Sequence, residues 1–231
     1  MITSAANPRL KLVRRLRSGR QRRRLGLFVV EGEDLVEAGR TAGLEPVDVL
    51  AADLDVEPHL LAEVSTLAHA ARVVAVFRTA DLPRLDPDDR PSPGLALWRV
   101  SDPGNVGTLL RTADGFGPAF VALSPGCADI TGDKALRGSA GAVFRVRTAL
   151  FDEAPGRRIA LVASGGRPLP EIELGGEVCF VLGAEREGLP DEVLASCADV
   201  ATIPLAPAAE SLNVAVAGAL ALYEYRRRAS R

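Results

Sequence analysis

Apolar residues first recur at helical spacing, where Leu10, Val13 and Leu16 form a narrow seam among arginines; this predicts a basic helix over residues 2–24. Short apolar runs then alternate with amphipathic ones. Residues 27–30, 47–50 and 73–76 read as strands, a helix opens at Glu31-Gly32 and runs to about Gly39, and another covers residues 60–67. The first third of the chain is therefore expected to be a small α/β unit. Between residues 82 and 94, Pro and Asp replace the apolar positions, which is linker composition, so residues 1–85 and 94–231 are expected to be two domains joined by residues 86–93.

Beyond the linker the alternation resumes. Strands are predicted near residues 95–100, 119–123, 143–147, 159–163, 178–182 and 200–204, with helices near 108–115, 133–140, 190–196 and 211–228. The runs at 159–163 and 178–182 are apolar at every position, which suits strands covered on both faces, so the sheet is expected to be mostly parallel. Sheets of that kind bind ligands outside the carboxyl ends of their strands.

Composition narrows the possibilities. No apolar run reaches the roughly 18 residues of a membrane span, and the N-terminus is polar and basic, so a cytoplasmic protein without a membrane partner is expected. The three cysteines, Cys127, Cys179 and Cys197, form no Cys-x-x-Cys pattern, and both histidines, His59 and His69, lie far from the motifs described below. Neither a disulfide framework nor a metal site is expected. The net charge of −2 conceals an asymmetry, because no acidic residue precedes Glu31 while Arg9, Lys11, Arg14, Arg22 and Arg23 belong to a dense basic run. Such a run reads as a phosphate-binding footprint and points to a nucleic acid partner.

The candidate chemistry lies in three loops. Asp102-Pro103-Gly104-Asn105 follows a predicted strand and is a turn by composition; Asn105 or Thr108 is expected to cap the next helix, with Arg111 in its first turn. Gly183-Ala184-Glu185-Arg186-Glu187-Gly188 follows the strand ending at Leu182, and a third loop runs from Ile203 through Ser211 and Asn213. The chain has no Walker lysine, no Ser-His-Asp order and no complete G-x-G-x-x-G, so nucleotide hydrolysis, acyl transfer and standard dinucleotide binding lack their parts.

In order and spacing these three loops resemble the motifs of the SpoU/TrmH-type RNA 2′-O-ribose methyltransferases of the SPOUT superfamily. Residues 135–144, Ala-Leu-Arg-Gly-Ser-Ala-Gly-Ala-Val-Phe, match the segment between the first two motifs, and Asn7-Pro8, Lys11 and Phe28-Val29-Val30-Glu31-Gly32 resemble the ribosomal-protein-like RNA-binding domain that often precedes the catalytic one. The resemblance implies a trefoil-knotted domain that binds S-adenosylmethionine. It places the cofactor against Leu182, Gly183, Ile203, Leu205 and Leu212, and the polar catalytic positions at Asn105, Arg111, Glu185, Ser211 and Asn213. Arg111 is expected beside the pocket formed by Gly183, Ile203 and Leu212. Lys134 and Arg137 join the basic run as RNA contacts. Family members work as homodimers in which arginine and RNA-binding elements reach across between subunits.

Three positions depart from the family pattern: Leu205 where methionine is frequent, a change that conserves volume, Pro207 where glycine is frequent, and Asp133 where proline is frequent. Ribosomal RNA is the preferred substrate and transfer RNA the alternative. A non-catalytic RNA-binding protein that keeps the fold, and a nucleotide-dependent enzyme on an ordinary open sheet, are the readings from other classes.

Overall fold

The computed structural model describes residues 1–67, 69–117 and 119–229. The basic N-terminal stretch forms two helices where one was expected. Asn7 caps α1 (Pro8–Leu16), its Oδ1 accepting from the Arg9 amide, and the chain breaks at Arg17-Ser18 before α2 (Gly19–Leu25), which ends on Gly26 in the left-handed region. Leu10, Val13 and Leu16 are buried, as the seam requires. Next come β1 (Leu27–Glu31), α3 (Glu33–Thr41), β2 (Asp48–Ala51), α4 (Pro58–Ala62) and β3 (Val73–Arg78), and the three strands form an antiparallel sheet in the order β1-β3-β2. The helix expected over residues 60–67 stops early because Ser65 and Thr66 turn their hydroxyls to the buried Glu31 carboxylate, at 2.6 and 2.7 Å.

The second sheet contains β4 (Gly94–Leu97), β5 (Phe120–Leu123), β6 (Arg147–Leu150), β7 (Arg157–Val162), β8 (Arg167–Pro168), β9 (Val178–Leu182) and β10 (Asp199–Thr202). Its order is β6-β5-β4-β9-β7-β10-β8 and every pairing is parallel. The helices are α5 (Pro103–Phe116), α6 (Asp133–Ser139), α7 (Asp191–Ala195) and α8 (Val214–Ala229). Two strand expectations need correcting. Residues 142–144 form a 3-10 turn and the strand begins at Arg147, because Val143 and Phe144 are drawn into the core; β4 stops at Leu97, three residues short of its expected end.

One core joins the two sheets. Phe28 and Phe77 of the antiparallel sheet pack on Phe144, with ring centroids 5.6–6.4 Å apart. Ion pairs reinforce the contact: Arg17 binds Glu31 and Asp133 at 2.8 Å each, and Arg22 binds Asp129 at 2.7 Å. Asp133, which departs from the family pattern, is thus half of a bridge between the sheets. The connecting segment is stitched down as well: Pro83 and Leu85 share backbone hydrogen bonds with Thr148, Asp89 pairs with Arg147, and Ser92 donates to the Tyr225 hydroxyl at 2.9 Å. Among the described residues no helix is long and apolar enough to cross a membrane.

Candidate active site

β4 and β9 are neighbours in the sheet, so the loops leaving their carboxyl ends meet. The Asp102 side chain caps α5, accepting from the Gly104 and Asn105 amides at 2.7 and 3.0 Å, and Pro103 fills the first helical position, where no donor is needed. Lys134 donates to the other Asp102 oxygen at 2.8 Å. This bond, with the Asn105 and Gly104 amides, holds the carboxylate below its ordinary range. Asn105 is therefore fixed in the first turn of α5. Its Nδ2 donates to Glu185 Oε1 at 2.8 Å, and its Oδ1 accepts from Asn213 Nδ2 at 3.1 Å. The Asn213 Oδ1 in turn accepts from the Ala215 and Val216 amides and caps α8. One residue from each of the three loops thus enters a single hydrogen-bonded run.

α5 is held from two sides by close helix approaches. A Cβ on Gly107 would collide with the Ala135 carbonyl oxygen of α6, and one on Gly218 of α8 would collide with the Leu109 side chain. Gly107 therefore serves helix packing rather than the turn.

Two adjoining cavities flank the run and share Ala184, Glu185, Arg186 and Asn213. The inner one, about 560 Å3, lies at the ends of β7, β9 and β10, with Leu161, Leu182, Ile203, Leu205, Leu212 and Ala217 giving it apolar walls. Gly183 and Ser211 also line it, and a Cβ on Gly183 would strike the Gly188 main chain, so the loop after β9 closes tightly over the strand end. All five expected cofactor positions are brought together here. The outer cavity, about 940 Å3, is lined mostly by charged and polar residues, Arg99, Asp102, Asn105, Glu185, Arg186 and Glu187 among them.

The SpoU rRNA Methylase family profile matches residues 93–223, and that of the MRM3-like substrate binding domain matches residues 7–81. The chain belongs to the SpoU rRNA methylase family. Within it, this chain is 32% identical to an uncharacterized tRNA/rRNA methyltransferase of Synechocystis, covering 98% of this chain and 93% of that one. It is 28% identical to the 23S rRNA (guanosine(2553)-2′-O)-methyltransferase RlmP of Bacillus subtilis, covering 97% and 98%. Among solved structures it resembles the AdoMet-bound rRNA methyltransferase of Sinorhizobium meliloti, with a TM-score of 0.88 and 26% identity over 98% of this chain and 97% of that one.

Against the SpoU motifs, the position of Arg111 needs correcting. Because α5 begins at Pro103, Arg111 is its ninth residue, on an exposed face and about 9 Å further along the axis than Asn105. It lines neither cavity, and its guanidinium has no partner among the described residues. Arg22 also departs from expectation. It is buried, paired with Asp129, and donates to the Leu16 and Arg17 carbonyls, so it ties the fold together and is not available to a phosphate. Arg9 is bound by both Asp48 oxygens and the Val49 carbonyl, and Arg14 by Ala5 and Glu63. Lys11 and Arg23 are exposed and have no partner among the described residues, while Arg137 donates to Thr66 at 3.3 Å.

Sequence reasoning missed Arg99, Ser101 and Arg186 in the outer cavity and the β7 end in the inner one. The apolar run at 159–163 carried the only signal for the last of these. Cys179 is fully buried and burial pushes its thiol up to about 12, so it offers no thiolate nucleophile.

Proposed function

We propose that this protein is an S-adenosylmethionine-dependent methyltransferase acting on a ribose 2′-hydroxyl of RNA, that its substrate is ribosomal RNA, and that it works in the cytoplasm as a homodimer. The hydrogen-bonded run Asn213–Asn105–Glu185 between an apolar and a polar cavity carries this reading. The inner cavity has the chemistry an adenosyl group needs. Leucine and isoleucine side chains provide two apolar faces for adenine, and main chain beyond the last paired residues of β9 and β10 supplies donors and acceptors at its edge. The Sinorhizobium relative carries AdoMet, and the Bacillus relative, matched along its whole length, is named for 2′-O methylation of a 23S rRNA guanosine. That full-length match favours ribosomal over transfer RNA.

When bound, S-adenosylmethionine supplies a methyl group on a positively charged sulfur that leaves as a neutral thioether. The chain's own residues have to align the hydroxyl and move its proton. Asn105, held at both ends, orients the ribose; Glu185 fixes Asn105; Ser211, which has no partner among the described residues, faces the cofactor's methionine end. Arginine stays protonated, so Arg111 is assigned to the target nucleotide's phosphate. There it lowers the pKa of the hydroxyl, and a phosphate oxygen or water takes the proton.

A second copy is needed for Arg111 to do this, since it lines neither cavity of its own chain. Val216, Leu220 and Tyr223 form an apolar stripe on one face of α8, each more than a third exposed, and Tyr223 packs on Phe116 of α5, the helix that carries Arg111. In the dimer we propose, two copies join over this stripe and Arg111 of each serves the other's cavities. The trefoil knot belongs to the same reading: the insertion of β9 between β4 and β7, and the return of α8 onto α5, support a threaded C-terminal segment.

Titration calorimetry with S-adenosylmethionine tests the cofactor assignment. One equivalent bound per chain is expected; no heat of binding would instead favour a non-catalytic RNA-binding protein.

A further inference from the structure

We infer that Arg99 holds a backbone phosphate of the RNA strand in the outer cavity, on the side of that cavity facing β5; the inference rests on the RNA methyltransferase reading above. Three observations converge on this side chain. First, Arg99 lines the outer cavity and is exposed, and its guanidinium has no hydrogen bond or ion pair among the described residues. Many arginines elsewhere in the chain are committed to carboxylates or carbonyls, as Arg9, Arg17, Arg22 and Arg228 are.

Second, its backbone is in the left-handed region, with φ of 53°, which a side-chain-bearing residue rarely adopts and glycine adopts freely. The surroundings enforce this turn: the Trp98 amide donates to the Leu182 carbonyl at 2.8 Å, the Arg99 amide to Ser124 Oγ at 2.9 Å, and the Ala128 amide to the Val100 carbonyl at 2.9 Å. Strain of this kind persists where neighbours over-determine the backbone, and it clusters at functional sites. The conformation would be less strained with glycine, yet a long cation occupies the position and is aimed into the cavity.

Third, the carboxylates that line the cavity come from the loops after β4 and β9, not from the loop after β5. β4 lies between β5 and β9. The loop after β9 brings Glu185, Arg186 and Glu187, so its cation is flanked by two acids, whereas Arg99 leans the other way, over Gly126 in the loop after β5, with its Cγ and Nε 3.5 Å from where a Gly126 Cβ would stand. Asp102 is already neutralised by Lys134. An RNA strand that presents its ribose to Asn105 therefore finds a cation for its phosphate on the β5 side, and guanidinium geometry suits a phosphate's paired oxygens.

The test uses the full chain and unmodified in vitro transcripts of 16S and 23S ribosomal RNA, with affinity measured over a salt series. Arg99→Gly removes the cation and relieves the left-handed strain, so its melting temperature should equal or exceed the parent's. Its RNA affinity should fall about tenfold, and the slope of log affinity against log salt should become shallower by about 0.7–0.9, the signature of one lost phosphate contact. Arg99→Lys should keep most of the slope, and S-adenosylmethionine affinity should not change in either variant. An Arg99→Gly slope equal to the parent's, in a parent that binds RNA and S-adenosylmethionine, overturns the role of Arg99 alone. A parent that binds neither transcript overturns the ribosomal RNA assignment, and this inference with it.

Discussion

At the scale of single residues, the site is a short relay of amides and one carboxylate. Asn105 is the hinge of the relay because its amide offers both a donor and an acceptor, and each is used: the donor by Glu185 at 2.8 Å, the acceptor by Asn213 at 3.1 Å. Arg111 stands apart from that relay and its assigned work is purely electrostatic, which gives a definite prediction. Turnover of Arg111→Lys, measured from pH 6 to 9, should exceed that of Arg111→Ala by about tenfold, since a displaced cation keeps part of the attraction to phosphate. No rescue by lysine at any pH, with RNA affinity intact, would contradict simple charge placement. The polar members of the relay were legible in the sequence because all three loops carry distinctive residues. The location of Arg111 was not, since Asp102, Asn105 and Thr108 are all competent caps, and the helix starts at Pro103 because the Asp102 carboxylate captures two amides at once. Arg22 was misread for a related reason. Its partner Asp129 lies 107 positions away, and nothing local distinguishes a buried arginine from an exposed one.

At the scale of elements, α5 is clamped by α6 and α8, and α6 is tied to the N-terminal helices through acidic residues. Burial alone would raise the Glu31 pKa, but hydrogen bonds from Ser65 and Thr66 and the Arg17 charge outweigh it and hold the carboxylate below its ordinary value. Asp129 is lowered in the same way, with Thr131 and Arg22 overcoming burial. A depressed carboxylate contributes stability that is present above its unfolded pKa and is lost as pH falls through the folded one. Thermal melts of the parent should therefore lose stability progressively below about pH 4.5, and Glu31→Gln should melt lower at pH 7 while showing a flatter acid limb. An unchanged acid limb would mean that the Ser65, Thr66 and Arg17 contacts to Glu31 contribute nothing to stability. Element order was largely legible, because continuous apolar runs mark strands buried on both faces. The sequence misplaced ends where a residue's tertiary use overrides its local pattern: Phe144 leaves a strand-like run to complete an aromatic cluster with Phe28 and Phe77, and Ser65 and Thr66 end α4 to bind Glu31.

At the scale of the whole molecule, the antiparallel sheet with its basic helices and the parallel sheet with its cavities share a core, so the two are held together without a loose hinge. Lys11 and Arg23 remain available on the first unit, and Arg99 and Arg186 at the outer cavity. The stitched segment between residues 83 and 92 keeps that geometry fixed, although its composition reads as a free linker. In the proposed reaction the Asn105 relay aligns a ribose hydroxyl with a methyl donor. The measurement that tests it most directly is nucleotide-resolution mapping of ribose methylation in ribosomal RNA transcripts incubated with the protein and S-adenosylmethionine carrying an isotopically labelled methyl group. A labelled 2′-O-methyl nucleotide at a defined position is expected with the parent, and its loss with Asn105→Ala; label on a base, or equal ribose labelling by the two proteins, would overturn the proposed reaction.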